Sequence, residues 1–134
     1  MTNLNIVSDN WTIVNQNLRE KSLAENIYFS DYDWNTELND DDVPAVRAFK
    51  TAFVDTFGYD PQVIGATTYD SMHILAKAID AVGDQDPVAV GEWITTELGT
   101  YQGAGGTISF DSDCEGARDV VVRQVKDGEF VAID

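Results

Sequence analysis

The sequence predicts an α/β fold, and three observations lead there. Three consecutive segments between residues 44 and 99 place apolar side chains at helical spacing. From residue 107 onward apolar and polar residues alternate, which is the period of a half-buried strand. Upstream, Ile27-Tyr28-Phe29 is a short, β-prone apolar run between polar neighbours, expected to be a buried strand end. The 134 residues suit one domain, and 43% apolar with 10% aromatic residues is near the globular norm, so a folded core is expected.

Taken in chain order, Ser8 and Asp9 precede Trp11, Val14 and Leu18 at helical spacing, and both side chains can accept hydrogen bonds from first-turn amides, which predicts a helix over about 10–19. Residues 30–42 are polar and acidic and read as a connection. Pro44 then supplies the φ of a first helical position, Asp42 sits at the positive end of the dipole, Val46, Phe49, Phe53 and Phe57 form the stripe, and Gly58 ends it. The second helix has Tyr69, Met72, Ala76 and Ile79 on one stripe with Leu75, Ala78 and Val82 beside it, a broad face expected to be buried before Gly83. Asp86 caps the third, Pro87 opens it, Val90, Ile94 and Leu98 are its stripe, and Gly99 ends it. Gly103-Ala104-Gly105-Gly106 reads as a flexible turn before the alternating run Thr107 to Phe110. Two further strands, 119–126 and 130–133, are joined through Asp127-Gly128, a strong two-residue hairpin signal.

Composition removes several functions. Against 24 Asp and Glu stand 8 scattered Lys and Arg, giving a net charge of −16. A grip on phosphates needs clustered cations, so nucleic acid is excluded as a partner. Apolar runs are far short of the roughly 18 residues that span a bilayer, and residues 1–25 hold no signal-peptide core, so an export signal is absent or removed. The excess of Asp over Glu, 17 to 7, suits a secreted or high-salt setting. A single Cys114 excludes an internal disulfide and a four-thiolate zinc site.

No motif for catalysis or metal binding stands out from its bland reading. Asp31, Asp33, Asn35, Glu37, Asn39 and Asp42 fall at positions 1, 3, 5, 7, 9 and 12 of a calcium-loop register. Thr36 replaces the Gly of the sharp turn and Asp42 is one methylene short of the closing Glu, so a solvated linker is expected and no metal ligand is assigned. Asp111, Asp113 and Glu115 have Val122 where the closing carboxylate belongs, and a turn between strands is the better reading. The only His, His73, lies inside the second helix one turn from Lys77, so a structural role is expected and no catalytic residue is assigned. The glycines at 103, 105 and 106 lack the Lys-Ser/Thr and the helix that phosphate cradling needs.

A family resemblance runs from about Ser8 to the end. Phe49, Phe53 and Phe57-Gly58-Tyr59-Asp60-Pro61, then Thr68-Tyr69-Asp70-Ser71, Ala78-Ile79-Asp80-Ala81-Val82-Gly83, Gly103 to Phe110-Asp111 and Val125-Lys126-Asp127-Gly128-Glu129-Phe130-Val131 follow in order. Together they resemble the C-terminal third of the type I periplasmic solute-binding proteins of the Leu/Ile/Val-binding family, receptors of ABC importers. Cys114 and Glu115 depart from the Asp-Gly or Gly the family prefers at that turn.

The resemblance implies part of a two-lobed α/β fold, with helices on a mostly parallel sheet and a C-terminal β-hairpin. Residues 1–30 would finish one lobe, 31–43 cross over, 44–100 supply the helical part of the other lobe, and 101–134 return as strands and hairpin. The missing N-terminal part of the same receptor would complete the molecule. It further implies a small-molecule solute, an amino acid or amide, handed to a membrane permease by lobe closure, with no cofactor and no catalysis. The location implied is periplasmic or extracellular, free or held as a lipoprotein in the full-length protein.

Among residues, the family's acidic partner for the solute's ammonium lies 17 residues ahead of the segment equivalent to Asn26-Ile27-Tyr28, where Asp9 stands. By the same resemblance Trp11 walls the pocket and Ile64 and Gly65 present an apolar contact. Tyr69 completes the set, its ring expected to pack and its hydroxyl to need a partner. Three rivals remain at this point: a sensor with the same fold, continuing into a membrane helix beyond Asp134; an enzyme on an unrelated α/β fold, depending on His73; and a calcium-binding acidic module at 31–42.

Overall fold

Local sequence signals set most element boundaries in the computed structural model, which describes residues 7–9, 25–34, 38–113, 115–127 and 129–133. For residues 7–9 only the backbone is described. The helix expected over 10–19, including Trp11, lies outside the described residues. Contacts divide the chain into two compact units, one of residues 1–33 with 119–134 and the other of residues 34–118.

The described residues of the first unit include a four-stranded sheet. β1 (Val7–Asp9) runs parallel to β2 (Tyr28–Tyr32), with Val7 opposite Tyr28 and Asp9 opposite Ser30. β2 runs antiparallel to β6 (Val120–Lys126), which pairs antiparallel with β7 (Glu129–Ile133), giving the order β1-β2-β6-β7. Lys126 faces Glu129 across a two-residue loop, and Asp127 takes φ 53°, the left-handed conformation a type I′ turn demands of its first central residue. Phe29 and Val125, each 1% exposed, form the core with Ile27 against them, and Phe130 meets Phe29 edge to face at 5.3 Å. An ion pair between Arg123 Nε and Asp31 Oδ2, 3.4 Å, lies across β2 and β6.

The second unit holds the helices and the strands β3 (Thr100–Gly103), β4 (Gly106–Phe110) and β5 (Gly116–Ala117), an antiparallel sheet in the order β3-β4-β5. α1 (Pro44–Phe57) begins on its proline and stops at Gly58, φ 76°. α2 (Val63–Val82) stops at Gly83, φ 72°, and α3 (Pro87–Thr96) is capped by Asp86, whose carboxylate accepts the Val88 N–H at 3.0 Å. Trp34, Val46, Ala66 and Ala104 form the core, with Phe49 and Val63 packed against it. Among the described residues no helix is long and apolar enough to cross a membrane.

Several expectations need correction. Among the described residues only the β1–β2 pair is parallel: β3–β4, β4–β5 and β6–β7 are antiparallel because each pair is joined by a turn too short for a crossover, and β6, returning after the second unit, pairs antiparallel with β2. Asp42 stands one residue ahead of the N-cap Val43, and its carboxylate also accepts two hydrogen bonds from the buried Lys50 ammonium, at 2.8 and 3.0 Å. On α2 the stripe read from apolar residues is largely exposed, with Tyr69, Met72 and Leu75 at 47, 65 and 43%. The buried stripe is Ala66, Asp70, Ile74 and Ala78, a four-residue repeat with a carboxylate at its centre. The turn at 104–105, expected to be flexible, is buried. β3 to β5 cluster with the helices, so the return to the first unit falls after Arg118.

Candidate functional site

The second unit carries a groove of about 730 Å³ between α1, α2 and β3. Its α1 wall is Ala45, Ala48, Phe49, Ala52 and Phe53, small residues alternating with rings because the helix turns the same face to the groove every three or four residues. Gly65, Tyr69, Asp70 and His73 line the α2 side, and Tyr101 to Ala104 the strand side. Tyr69 bridges the walls: its ring lies 5.1 Å from Phe49 and 4.3 Å from His73. Burial, with the nearby Asp70 charge and Tyr69, pushes the Tyr101 phenol above its ordinary pKa of 10, so it stays a neutral hydroxyl at physiological pH.

Asp70 forms the floor. Its side chain is 1% exposed, and Oδ1 and Oδ2 accept the N–H groups of Ala104 and Gly105 at 2.6 and 2.7 Å. Both carbonyls of that turn are also satisfied: Trp34 Nε1 donates to Ala104 O and Arg118 Nη1 to Gly105 O, each at 2.9 Å. A two-residue turn with every backbone polar group bonded to a side chain can be buried without penalty, which is how Ala104 comes to be 1% exposed. The glycines follow from the same contact. A Cβ on Gly103 would overlap the Asp70 carboxylate, and one on Gly105 would lie 2.8 Å from Arg118 Nη1. Gly103→Ala should therefore cost about 1–3 kcal/mol in a urea melt, although nothing about its φ requires glycine.

The sequence-assigned residues are placed unevenly. Gly65 and Tyr69 share the groove, while Ile64, 66% exposed on the first turn of α2, is not among its lining residues. Asp9 is the last residue of β1, in the other unit, and Trp11 lies outside the described residues. His73 is exposed, its ring 4.3 Å from that of Tyr69 and tilted 49° to it. Of the calcium-loop positions, Asp31 pairs with Arg123 and Asp42 with Lys50, Asn35 and Glu37 lie outside the described residues, and no carboxylate, His or Cys cluster suited to a metal occurs among the described residues. Asp111 accepts the N–H groups of Asp113 and Glu115, both at 2.9 Å, a side-chain-capped turn as expected. The Asp70 clamp was not foreseen. Its sequence signals are one acidic residue at four-residue spacing within Ala66, Ile74 and Ala78, and the presence of Asp70 and of the Gly103–Gly106 turn in segments that carry the family resemblance.

Comparison with known proteins agrees with this architecture. The fold matches the leucine-binding protein LivK of Thermotoga maritima with a TM-score of 0.69 and 21% identity, over 97% of this chain and 36% of that one. It matches an ABC transporter substrate-binding protein of Desulfitobacterium hafniense in complex with Leu equally well, at 0.69 and 22%, over 98% and 36%. A solute-binding protein of R. palustris in complex with benzoate matches at 0.56 and 16%, over 82% and 29%. The chain thus spans about a third of the length of these receptors. No curated protein sequence matches significantly. The model of one family, described as periplasmic binding protein, matches residues 6–129, nearly the whole sequence. With that match and this fold, the chain belongs to the periplasmic binding protein family.

Proposed function

We propose that this chain is the C-terminal portion of the solute receptor of an ABC importer, which grips an amino acid or amide by closure of its two units and performs no chemistry on it. The observation that supports this most is the family match across residues 6–129, reinforced by a solved receptor of the same fold that holds leucine. Asp9 is the counter-ion of the solute's ammonium in this reading. It stands at the carboxyl end of β1, beside the parallel neighbour β2, and the carboxyl ends of parallel strands are where open α/β sheets bind ligands. Ile64 and Gly65, at the opening turn of α2, give the apolar contact, and Trp11 a further wall. Tyr69 packs instead of touching solute, since its ring is already flanked by Phe49 and His73.

The preceding portion of the same receptor covers the aromatic groove, because Phe57, Tyr59 and Tyr69, 58, 62 and 47% exposed, make an apolar surface too continuous for an isolated unit. The complete receptor works outside the cytoplasmic membrane, free or lipid-anchored, and delivers its solute to a membrane permease. Closure removes the ammonium–carboxylate pair from water, which strengthens it. Removing one member of such a buried pair costs about 2–5 kcal/mol. Asp9→Asn in the complete receptor should therefore weaken amino-acid binding by roughly thirtyfold or more, by calorimetry. Unchanged affinity would remove Asp9 from the site.

A further inference from the structure

We infer that the helical unit reaches full stability only in concentrated salt, because it sets carboxylates at the ends of its helices that repel them. The inference goes beyond the receptor reading and holds whatever solute is bound. Residues 34–118 carry 15 Asp and Glu against 4 Lys and Arg, a net charge of −11. Among the described residues twelve of those acids are exposed, and of the four cations only Lys77 is. The other three cations brace the interior and the backbone. Lys50 is buried against Asp42, Arg118 donates to the Gly105 carbonyl, and Arg47 Nη2 donates to the carbonyls of Asn39 and Asp40 at 2.7 and 3.0 Å. Arg47 also comes within 4.0 Å of the exposed Asp40 carboxylate. The surface is left with nearly one sign of charge.

Position sharpens the effect. The C-terminal end of a helix carries partial negative charge and favours Lys, Arg or His in its last turn. None of α1, α2 and α3 has a basic residue there. Asp55 lies in the last turn of α1 instead, Asp80 in the last turn of α2, and Glu97 is the C-cap of α3. All three are exposed, and among the described residues none of their side chains has a hydrogen bond or an ion pair. No helix carries an acidic residue in its first turn, where it would gain; the favourable charges are Asp86, which caps α3, and Asp42, already paired with Lys50. Salt separates the two kinds of contact. Repulsion at an exposed surface is screened as the Debye length falls from about 10 Å at 0.1 M to about 3 Å at 1 M, while a pair buried like Lys50 and Asp42 is screened far less. Rising ionic strength therefore removes the repulsion and keeps the attraction, which makes solvent cations a component of the folded unit.

Urea midpoints of the full-length protein in about 0.1 M and about 1 M potassium chloride test this, since urea is uncharged and leaves the ionic strength unaltered. The midpoint of the unaltered protein should rise with salt. The triple variant Asp55→Asn, Asp80→Asn, Glu97→Gln should start higher in the dilute salt, by roughly a tenth to a third of the midpoint, and gain correspondingly less from the concentrated salt. Glu92→Gln, Asp113→Asn, Glu115→Gln removes as many exposed charges away from the helix ends and is the control: its midpoint should move less in dilute salt and keep more of the rise. A midpoint that falls or stays level with salt overturns the inference. So does a control that shifts as much as the first triple, which would reduce the effect to net charge. A first triple as salt-dependent as the unaltered protein overturns it too, because the rise would then belong to salting-out of apolar surface, and so does a first triple that fails to fold, because its substitutions remove only repulsion.

Discussion

Asp70→Ala should be the most damaging single substitution in the described part of the chain. It removes the acceptors of two buried amides, and an orphaned buried donor costs about 1–3 kcal/mol, so the loss is about 2–6 kcal/mol before the cavity is considered. That is a large share of the roughly 5–15 kcal/mol by which a domain is stable. Asp70→Asn should fall between, since its carbonyl oxygen can accept one amide while its NH₂ confronts the other. Urea midpoints of the full-length protein check the order: unaltered, then Asn, then Ala. An Ala variant within about 1 kcal/mol of the unaltered protein would mean that water replaces the carboxylate and the turn is not held as described.

Asp42→Ala should follow closely. Lys50 has a side chain 2% exposed, its ammonium lies 2.8 Å from Asp42 Oδ2, and Asp42 is itself 11% exposed. Removing one member of a buried pair leaves a desolvated charge and costs about 3 kcal/mol. Burial alone would raise the Asp42 pKa, but the hydrogen bonds from Lys50 and the Asn39 amide, with the charges of Lys50 and Arg47, outweigh it and hold the group below its ordinary 3.8. A carboxylate depressed on folding stabilises fully above its unfolded value, and the contribution fades as pH falls through the folded one. The stability gap between the unaltered protein and Asp42→Asn should be full at pH 6 and close below 3.8. A gap independent of pH would show that packing, not charge, is what Asp42 supplies.

What the sequence revealed tracks where the physics is local. Pro44, Pro87, Gly58 and Gly83 bound their helices because fixed φ and the left-handed conformation act on single residues. Asp127 announced the last hairpin for the same reason. The interior of the helical unit was not legible, because it is built around polar groups. Asp70 and Lys50 are buried, against the prior for charged residues, and each is compensated by partners distant in sequence: Asp70 by amides 34 and 35 residues on, Lys50 by a ring and a carboxylate from the segment ahead of α1. A reading by apolar stripe therefore rotated α2 toward Tyr69 and Met72. Ile64, Gly65 and Asp9 were expected from the resemblance alone, and of these only Gly65 lines the groove; the groove and its clamp came from the structure.

The most direct test of the receptor account is calorimetric titration of the complete receptor with a panel of amino acids, followed by recovery of the bound compound. Saturable one-to-one heat for at least one of them, with the compound returned intact on denaturing the protein, is the predicted result. No heat from any member, or a chemically altered compound on release, would contradict it.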